Sequence, residues 1–330
     1  MKNQGTIYVV MPAYNAEKFI GTAFDSLLAQ TYSDWKCLCV NDGSNDKTLE
    51  IMQKYAQKDK RFIIFTQENK GVTYSRNFLL NRVQGPYLAF LDADDYWHPQ
   101  MLETLLSKLV STRSDIAECS LERFYDFPPK EQTSYIEINQ IQENILTNMN
   151  IFLSRKTWKG YWINIWNKIY RWDKVKDIRF SEELSYEDDY FYNSLTHSCI
   201  QKKVLIPATL YFYRKNPSSL CGNVNWQKYQ KAGIARIRLS YEYFILGNRV
   251  PKSIKKDFLF DLTQDAYRMI VRKPLKRKDK TLFKSAQQAM TTYLQKGIID
   301  MQYLSFKQRF HLWCVVKGLS GISRLVAKLT

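Results

Sequence analysis

The stretch Pro86-Tyr-Leu-Ala-Phe-Leu-Asp-Ala-Asp-Asp-Tyr-Trp97 joins a short apolar run to three closely spaced carboxylates. Its first part, Tyr87 to Leu91, predicts a buried strand. Burial of the acids that follow costs free energy unless a cation or hydrogen-bond donors meet them. The stretch therefore predicts either a cation site at the end of a strand or an acidic turn that caps the next helix, near Pro99.

Asp92 and Asp94 are separated by one residue, and in an extended chain such side chains point to the same side. Two oxygen ligands on one side, with positions left for water and phosphate, suit Mg²⁺ or Mn²⁺. This pair is the first candidate for a metal site.

Three similar apolar runs precede this strand, and each is followed by a polar turn and a helical pattern. The predicted strands are Thr6–Met11, Trp35–Val40 and Arg61–Phe65, and the predicted helices cover residues 19–28, 49–56 and 72–83. Strands that alternate with helices predict an α/β fold, with an open, mostly parallel sheet and helices on both faces. In such sheets ligands bind beyond the carboxyl ends of the strands. The turns that would meet at that edge are residues 12–15, 41–46, 67–71 and 92–95.

Two common phosphate-binding motifs are absent from the sequence. No Gly-x-Gly-x-x-Gly follows the first strand, which disfavours dinucleotide binding, and no Gly-x-x-x-x-Gly-Lys-Ser/Thr loop occurs, which disfavours the usual kinases and ATPases. The six cysteines and three histidines show no zinc-like or triad spacing. With no secretion signal and no long apolar run, we expect a cytoplasmic location.

The positive charge of the chain is concentrated near its end. The formal net charge is +17 for 330 residues, and Pro251 to Thr330 hold 17 Lys and Arg against 5 Asp and Glu. A basic balance indicates anionic partners, such as nucleic acid, a membrane surface or phosphorylated substrates. The pattern from about 221 to 330 is mostly helical, and Phe306 to Thr330 mixes aromatic, aliphatic and basic residues. This last stretch predicts a helix that lies on an anionic membrane, or one that packs on the rest of the chain.

A second acidic segment, Phe180 to Phe191, has five carboxylates, most of them ahead of a helical apolar pattern. Negative charge at a helix start is favoured by the helix dipole, which accounts for several of them. A carboxylate at a partly apolar helix start can also serve as a general base, and Glu187 and Asp188 are the candidates.

An aromatic segment, Trp158 to Tyr170, has tryptophans at positions 158, 162 and 166. This spacing predicts one helix that buries an aromatic stripe, with sugar stacking by one of the rings as the alternative. A further strand is predicted from Val204 to Tyr213, directly before Arg214.

In order and spacing, these blocks resemble the family 2 glycosyltransferases, which have a GT-A fold. The blocks are Val9-Val-Met-Pro-Ala-Tyr-Asn15, Asn41-Asp-Gly-Ser44, Glu68-Asn-Lys-Gly71, Ser75-Arg-Asn77, Phe90-Leu-Asp-Ala-Asp-Asp95, Trp166-Asn-Lys-Ile-Tyr170 and Glu187-Asp188. The resemblance covers about residues 5–220. It implies a Rossmann-like catalytic domain over 1–220, with a nucleotide-binding half at 1–97 and an acceptor half at 98–220, before a helical basic region at 221–330. The later blocks look like those of bacterial surface-polysaccharide transferases.

The resemblance implies roles for individual residues on the nucleotide side. Asp42 would accept a hydrogen bond from the uracil N–H, and it equally suits the turn before Gly43. Arg76 would lie near the nucleotide or else be a helix-surface cation, and Arg214 would neutralise the donor diphosphate or else be plain surface charge. The residues implied in donor binding are Pro12, Ala13, Tyr14, Asn15, Asp42, Asn69, Arg76, Asp92 and Arg214.

The resemblance also implies a metal site and a base. Asp92-Ala-Asp94 matches the family's DxD motif, so Asp94 would bind Mn²⁺ or Mg²⁺, with Asp92 as a second ligand nearer the ribose. Asp95 would support these ligands or cap the helix. Asp188 would take the proton from the acceptor hydroxyl, and Glu187 would bind sugar hydroxyls or exchange roles with it.

The implied reaction is a metal-dependent, inverting transfer of a hexose or N-acetylhexosamine from a UDP-sugar to a hydroxyl group. The acceptor would be a glycan or a lipid-linked glycan in surface-polysaccharide synthesis, of the capsule or lipopolysaccharide type, at the inner face of the cytoplasmic membrane. Oligomers could form through the C-terminal helices, and no nucleic-acid partner is expected. The alternatives are a sugar nucleotidyltransferase, which would want a Gly-rich loop after the first strand, and a basic protein that binds nucleic acid or membrane and keeps an inactive nucleotide-sugar fold.

Overall fold

The computed structural model describes residues 4–125, 135–147, 164–216, 224–250, 252–277 and 279–329. The chain divides into two compact units. The first comprises Met1–Ser181 and Tyr192–Gly222, and the second comprises Glu182–Phe191 and Asn223–Thr330. The described strands all lie in the first unit, whereas the second is helical. The acidic segment that contains Glu187 therefore belongs to the helical unit.

The described residues form nine strands and a longer series of helices. The strands are β1 Ile7–Ala13, β2 Trp35–Asp42, β3 Phe62–Gln67, β4 Tyr87–Phe90, β5 Tyr96–Trp97, β6 Ile116–Phe124, β7 Asn144–Thr147, β8 Lys168–Arg171 and β9 Lys202–Arg214. The α-helices are α1 Ile20–Leu28, α2 Thr48–Lys58, α3 Val72–Leu80, α4 Met101–Ser111, α5 Trp172–Val175, α6 Asp188–Cys199, α7 Trp226–Ser240, α8 Lys255–Ala266, α9 Lys273–Leu275, α10 Lys280–Gln295, α11 Phe306–Val316 and α12 Ser320–Leu329. Two π-helical segments, Tyr241–Leu246 and Tyr267–Arg272, continue α7 and α8. The strands and helices predicted before residue 92 are confirmed, with ends that shift by a few residues.

The strands join in one sheet in the order β3-β2-β1-β4-β8-β6-β9-β5, with β7 paired to β9. β3, β2, β1 and β4 are parallel neighbours. The other half is mixed, because β8 runs antiparallel to β4 and β6, and β5 and β7 run antiparallel to β9. The predicted α/β fold and helical C-terminal region are confirmed, while the parallel arrangement holds for the half of the sheet that precedes the acidic turn.

The central strands are buried because their sequences are almost continuously apolar. Ile7, Val9 and Val10 of β1 are fully buried, as a strand covered on both faces requires. The apolar pattern stops where β2 reaches Asn41 and Asp42, at its carboxyl end. The polar side chains of Asn41 and Asp42 therefore lie at the sheet edge at which a ligand would bind.

The predicted helix over residues 158–170 is wrong at its C-terminal end. Lys168–Arg171 form β8, in which Ile169 pairs with Ala89 of β4 and with Ala117 of β6. A segment that has strand partners on both edges gains two sets of backbone hydrogen bonds, and these outweigh a local helical pattern.

The tryptophans of the same segment are only partly described. Trp158 and Trp162 lie outside the described residues. Trp166 is buried, and its ring stacks on the rings of Tyr211 and Tyr213, with centroids 4.1 and 5.4 Å away. Because both neighbours belong to β9, Trp166 acts as a core residue in this arrangement.

The helical unit uses polar side chains to begin several of its helices. Asn225, Asp279 and Ser305 cap α7, α10 and α11 by accepting hydrogen bonds from backbone N–H groups of the first turn. Among the described residues, no helix combines the length and the apolar character needed to cross a membrane.

Candidate active site

The turns after β1 and β2 lie side by side at the sheet edge. The backbone N–H of Asn15 donates to Ser44 Oγ at 3.0 Å, and Asn15 Oδ1 accepts from the N–H of Asn45 at 2.9 Å. Asn15 has a φ of 47°, in the left-handed region that asparagine adopts more readily than most residues. These bonds bring the first two predicted turns together.

Asp42 holds the turn after β3. Its Oδ1 accepts from the N–H of Lys70 at 2.9 Å and from Gln67 Nε2 at 2.7 Å, and its Oδ2 accepts from the N–H of Gly71 at 2.9 Å. The carboxylate of Asp42 thus stabilises the turn after β3, whereas the sequence suggested a role in the turn before Gly43. A carboxylate oxygen can accept two hydrogen bonds, so Oδ2 keeps one acceptor position for a further donor.

Gly43 lets the turn after β2 approach the turn after β3. Its φ is 70°, and a Cβ at this position would lie 2.6 Å from the backbone nitrogen of Asn69. Glycine avoids both the left-handed strain and the clash. Asn69 is thereby placed beside the turn that contains Asp42.

The turn after β1 leaves an aromatic ring at the same edge. Ala13 is buried and pairs in register with Asn41 of β2, and Pro12 before it is half-buried. Tyr14, the next residue, is 50% exposed. An exposed ring at this position is available for stacking against a nucleoside base.

Asp92 is paired with a buried arginine from α3. Arg76 Nη2 lies 3.1 Å from Asp92 Oδ1, and the two side chains are 6% and 27% exposed. The guanidinium of Arg76 also lies 5.2 Å from the ring centroid of Phe180, within the range of a cation–π contact. The alternative that Arg76 is a helix-surface cation is therefore wrong.

Asp94 lies in an environment that disfavours an unpaired negative charge. Burial and the nearby Asp92 carboxylate raise the pKa of Asp94 to about 6. Arg214 and a hydrogen bond with the side chain of Asn216 act in the opposite direction. A positive charge at this carboxylate would offset the effects of burial and of the Asp92 charge.

Arg214, the last residue of β9, reaches the acidic turn. Its Nε donates to the backbone carbonyl of Asp94 at 2.8 Å, and its guanidinium lies over the rings of Phe124 and Phe19, 4.5 and 4.8 Å from their centroids. Arg214 is buried. The alternative of plain surface charge is therefore wrong for this residue.

Asp95 connects the acidic turn to β9. Its Oδ2 accepts from the hydroxyl of Tyr211 at 2.5 Å, and its Oδ1 accepts from the N–H of Arg214 at 2.8 Å. The following helix, α4, has Gln100 at its N-cap and no side-chain cap. Of the two alternatives for Asp95, the helix cap is therefore wrong, because β9 supplies the donors that the buried carboxylate needs.

Glu187 and Asp188 belong to the helical unit. Asp188 is the first residue of α6, and Glu187 precedes it with a left-handed φ of 62°. Glu187 Oε2 lies 3.9 Å from Nε of Arg236, a fully buried residue of α7. Arg236 also pairs with Asp265 at 3.0 Å and lies 4.1 Å from the ring centroid of Tyr190. Arg236 therefore places a buried positive charge near the Glu187 carboxylate within this unit.

Comparison with known proteins bears on the first unit. Residues 8–165 match the model of the family described as Glycosyl transferase family 2. The matched segment belongs to glycosyl transferase family 2. Its sequence is 30% identical over 220 residues to Glycosyltransferase GlyA of Streptococcus pneumoniae serotype 4. That match covers 65% of this chain and 31% of GlyA, so the matched segment spans about a third of this relative.

Solved structures show the fold of the chain. S. aureus TarS 1-349 in complex with UDP-GlcNAc superposes with a TM-score of 0.76 and 18% identity, over 98% of this chain and 90% of that chain. Mannosyltransferase PcManGT from Pyrobaculum calidifontis, in complex with GDP-Man and Mn²⁺, gives a TM-score of 0.53 and 13% identity, over 98% and 88% of the two chains. At these identities the likeness concerns the fold, and the predicted GT-A fold is confirmed.

The family 2 site offers two carboxylates to a metal ion. Within the ranges that the structure describes, no group of three or more His, Cys, Asp or Glu side chains is placed to hold a metal. Mg²⁺ and Mn²⁺ do not need such a group, because one or two carboxylates suffice when water and phosphate complete the coordination. The mutual repulsion of Asp92 and Asp94 would be offset by a divalent cation. The donor set therefore fits such an ion.

Sequence reasoning missed residues that contact the predicted site residues. Gln67 donates a hydrogen bond to Asp42, and the two residues pair in register at the ends of β3 and β2. The polar residues that end both predicted strands are the sequence signal for this contact. Tyr211 binds Asp95 from a strand more than a hundred residues away, and Arg236 reaches Glu187 from α7. Neither of these two contacts has a local sequence signal.

Proposed function

We propose that this chain is an inverting glycosyltransferase that moves a hexose or N-acetylhexosamine from a UDP-sugar to a hydroxyl of a glycan or lipid-linked acceptor. The observation that carries the proposal is the acidic turn between β4 and β5, where Asp92 and Asp94 meet two buried arginines, Arg76 and Arg214. Paired carboxylates and fixed guanidinium groups are the side chains that a metal-bound diphosphate requires.

The nucleoside would bind at the turns after β1 and β2. Tyr14 offers an exposed ring for the uracil, and Asp42 Oδ2 keeps one acceptor position for the uracil N–H. Pro12, Ala13, Asn15 and Asn69 would line the same pocket. The complex of TarS with UDP-GlcNAc supports the choice of a UDP-sugar, since that protein has the same fold.

Asp94, with Asp92 as a second ligand, would hold Mn²⁺ or Mg²⁺. The ion, when bound, would offset the charge that develops on the departing UDP. Arg214 acts on the same charge from the protein side, because its contacts with the Asp94 carbonyl and two aromatic rings fix its guanidinium before the reaction. The Mn²⁺ complex of PcManGT supports a metal in a protein of this fold.

Asp188 would take the proton from the acceptor hydroxyl as that oxygen attacks the anomeric carbon and the bond to UDP breaks. Glu187 is engaged by Arg236, a geometry that suits binding of sugar hydroxyls better than proton transfer. We therefore assign the base to Asp188.

The donor site is tested by replacing Asp94 with alanine. Asp94→Ala should abolish the Mn²⁺-dependent binding of UDP, measured by calorimetry with and without the metal. Asp173→Ala is the control, because Asp173 is a carboxylate with a side chain 68% exposed, and it should bind UDP as the parent does. Undiminished Mn²⁺-dependent binding by Asp94→Ala would refute the assignment of the site.

The base is tested by replacing Asp188 with asparagine. Asp188→Asn should keep UDP binding and lower turnover by about 10²–10⁴-fold, the usual contribution of a general base. Turnover is measured as UDP release from a panel of UDP-hexoses and UDP-N-acetylhexosamines. Glu183→Gln is the control, since Glu183 is an exposed acid of the same segment. Near-normal turnover by Asp188→Asn, with a loss in Glu187→Gln, would move the base to Glu187.

We also propose that α11 and α12 contact an anionic membrane surface. Phe306, Trp313 and Leu325 are 86%, 48% and 61% exposed, and exposed large apolar side chains on helices that also carry basic residues suit a membrane interface. The basic balance of Pro251 to Thr330 suits anionic headgroups.

Replacing the three exposed apolar residues of α11 and α12 with serine should release the protein from phosphatidylglycerol vesicles in a sedimentation assay. Unchanged co-sedimentation would refute the membrane proposal. Self-association through these helices is the alternative, and it would appear as oligomers that form without vesicles and are lost in the same variant.

A further inference from the structure

A cavity in the helical unit is lined mainly by positively charged side chains. Its volume is about 310 Å³, and its lining residues are Trp226, Arg272, Lys273, Lys276 and Arg277. This volume lies at the lower end of the range of small-ligand pockets, about 300–1,000 Å³. None of these five residues has a role in the proposed sugar transfer.

Packing holds the basic wall of the cavity in place. The π-helical segment that follows α8 runs directly into α9, and Pro274 and Leu275 of α9 are buried. These two apolar side chains fix the backbone that carries Lys273, Lys276 and Arg277. The cationic side chains therefore extend from an ordered turn. Folding has already fixed the backbone of this turn, so ligand binding does not have to order it.

Two of the cations are further placed by aromatic rings. The guanidinium of Arg277 lies 4.5 Å from the ring centroid of Trp226, and Nζ of Lys273 lies 5.6 Å from that of Tyr229. Lys273 Nζ is also 3.4 Å from the hydroxyl of Tyr229. Such contacts orient the charged groups and leave their remaining N–H donors available for an anion.

The cavity holds more positive than negative charge. Burial and repulsion from Arg268 lower the pKa of Lys273, and Arg272 adds to this, while Glu187 and Asp265 act in the opposite direction. A lysine whose charge is disfavoured by neighbouring arginines gains from a bound anion.

The helix that begins at the cavity adds to this potential. Trp226 is the first residue of α7, whose N-terminus carries a partial positive charge. The carboxylate of Asp279 lies nearby but is engaged, because it caps α10 and accepts from Gln227 Nε2 at 3.2 Å.

We infer that this cavity binds the phosphate group of an organic phosphate ester. Its four cationic side chains supply charge-assisted hydrogen bonds to phosphate oxygens, and the Trp226 indole supplies an apolar face for the attached carbon chain.

The probes are glycerol 3-phosphate and pyrophosphate, titrated by calorimetry into the full chain without added metal. Lys276→Gln and Arg277→Gln should each weaken binding by about tenfold, or 1.4 kcal/mol. Both side chains are exposed, so the fold should tolerate their replacement. Lys284→Gln, an exposed lysine of α10 that does not line the cavity, is the matched control and should bind as the parent does.

UDP binding with Mn²⁺ is measured in the same samples and should be unchanged in all three variants. Absence of phosphate binding by the parent, or equal binding by the parent and by both cavity variants, would overturn the inference. Loss of UDP binding alone in the Asp94→Ala variant bears on the proposed function and leaves this site unaffected.

Vesicles distinguish the source of the phosphate. If the ester is a lipid headgroup, Arg277→Gln should lose affinity for phosphatidylglycerol vesicles, with no affinity for phosphatidylcholine in either protein. If it is a soluble phosphorylated glycan or polyol, vesicle binding should be equal in parent and variant, and the tenfold effect should appear with glycerol 3-phosphate. A variant that binds both the vesicles and the soluble ester as the parent does would refute the site.

Discussion

Replacing Glu118 with glutamine would leave two buried ammonium groups without the carboxylate that they share. Glu118 lies on β6, Lys168 on β8 and Lys203 on β9, and their side chains are 0%, 0% and 1% exposed. Lys203 Nζ is in direct ion-pair contact with Glu118 Oε2, and Lys168 Nζ lies 3.4 Å from the same oxygen. The three strands are therefore joined by one charged cluster in the core of the sheet.

The magnitude follows from the depth of this cluster. Burial lowers the pKa of Lys168 to about 8, although the charge of Glu118 acts in the opposite direction. Removal of one partner from a buried ion pair costs about 3–5 kcal/mol, because the remaining charge has no compensation. We expect the free energy of unfolding to fall by this amount. At about 2–4 °C per kcal/mol for a domain of this size, Tm should fall by about 6–20 °C.

The assay is urea denaturation followed by circular dichroism, with Tm from a thermal scan. Glu50→Gln is the control, since Glu50 forms a 2.6 Å ion pair with Lys54 in which both side chains are more than half exposed. This control should leave the midpoint unchanged. Adding Lys168→Met to Glu118→Gln should recover part of the loss, because it removes an uncompensated charge. A Glu118→Gln midpoint equal to that of the control would refute the reasoning.

Two further predictions concern a turn and a pH dependence. Gly43→Ala should weaken UDP binding in calorimetry, because its Cβ would lie 2.6 Å from the backbone of Asn69, whereas Gly71→Ala meets nothing within 4 Å and should cost only the left-handed strain. Equal effects of the two changes would contradict the close approach. Burial lowers the pKa of His311 to about 4, below its value of about 6.5 in the unfolded chain, so the unfolded state binds more protons between these values. Stability should therefore be complete above pH 6.5 and fall by on the order of 2 kcal/mol towards pH 4, measured as urea midpoints. An equal pH slope in His311→Gln would contradict this origin.

The first half of the sheet could be predicted because the sequence of each strand there has a clear strand pattern of its own. β1 and β2 are continuous apolar runs, and the polar turns that follow them stop the pattern at the carboxyl ends. Parallel order then places Asn15, Asp42 and the acidic turn at one edge without further information. The hydrogen bonds between Asn15 and the turn after β2 agree with this placement.

The errors arose where a distant strand decides the structure. Asp95 has the local features of a helix cap, yet its partners are Tyr211 and Arg214 of β9, more than a hundred residues further along the chain. Lys168–Arg171 likewise follows a helical spacing of tryptophans, but β4 and β6 bind it on both edges. Propensity and spacing describe neighbours in sequence, and here the larger free energy comes from neighbours in space.

The predicted base also has neighbours that are distant in the sequence. Glu187 has a left-handed φ of 62°, a conformation that costs a residue with a Cβ about 1–2 kcal/mol. The positive charge that faces Glu187 comes from Arg236 of α7, which is itself paired with Asp265 of α8. Both helices lie beyond residue 220, where the resemblance to the family ends, while Glu182–Phe191 belongs to the same compact unit as they do. The helical region therefore supplies the positive charge that faces a predicted active-site carboxylate, although this region lies beyond the family's sequence motifs.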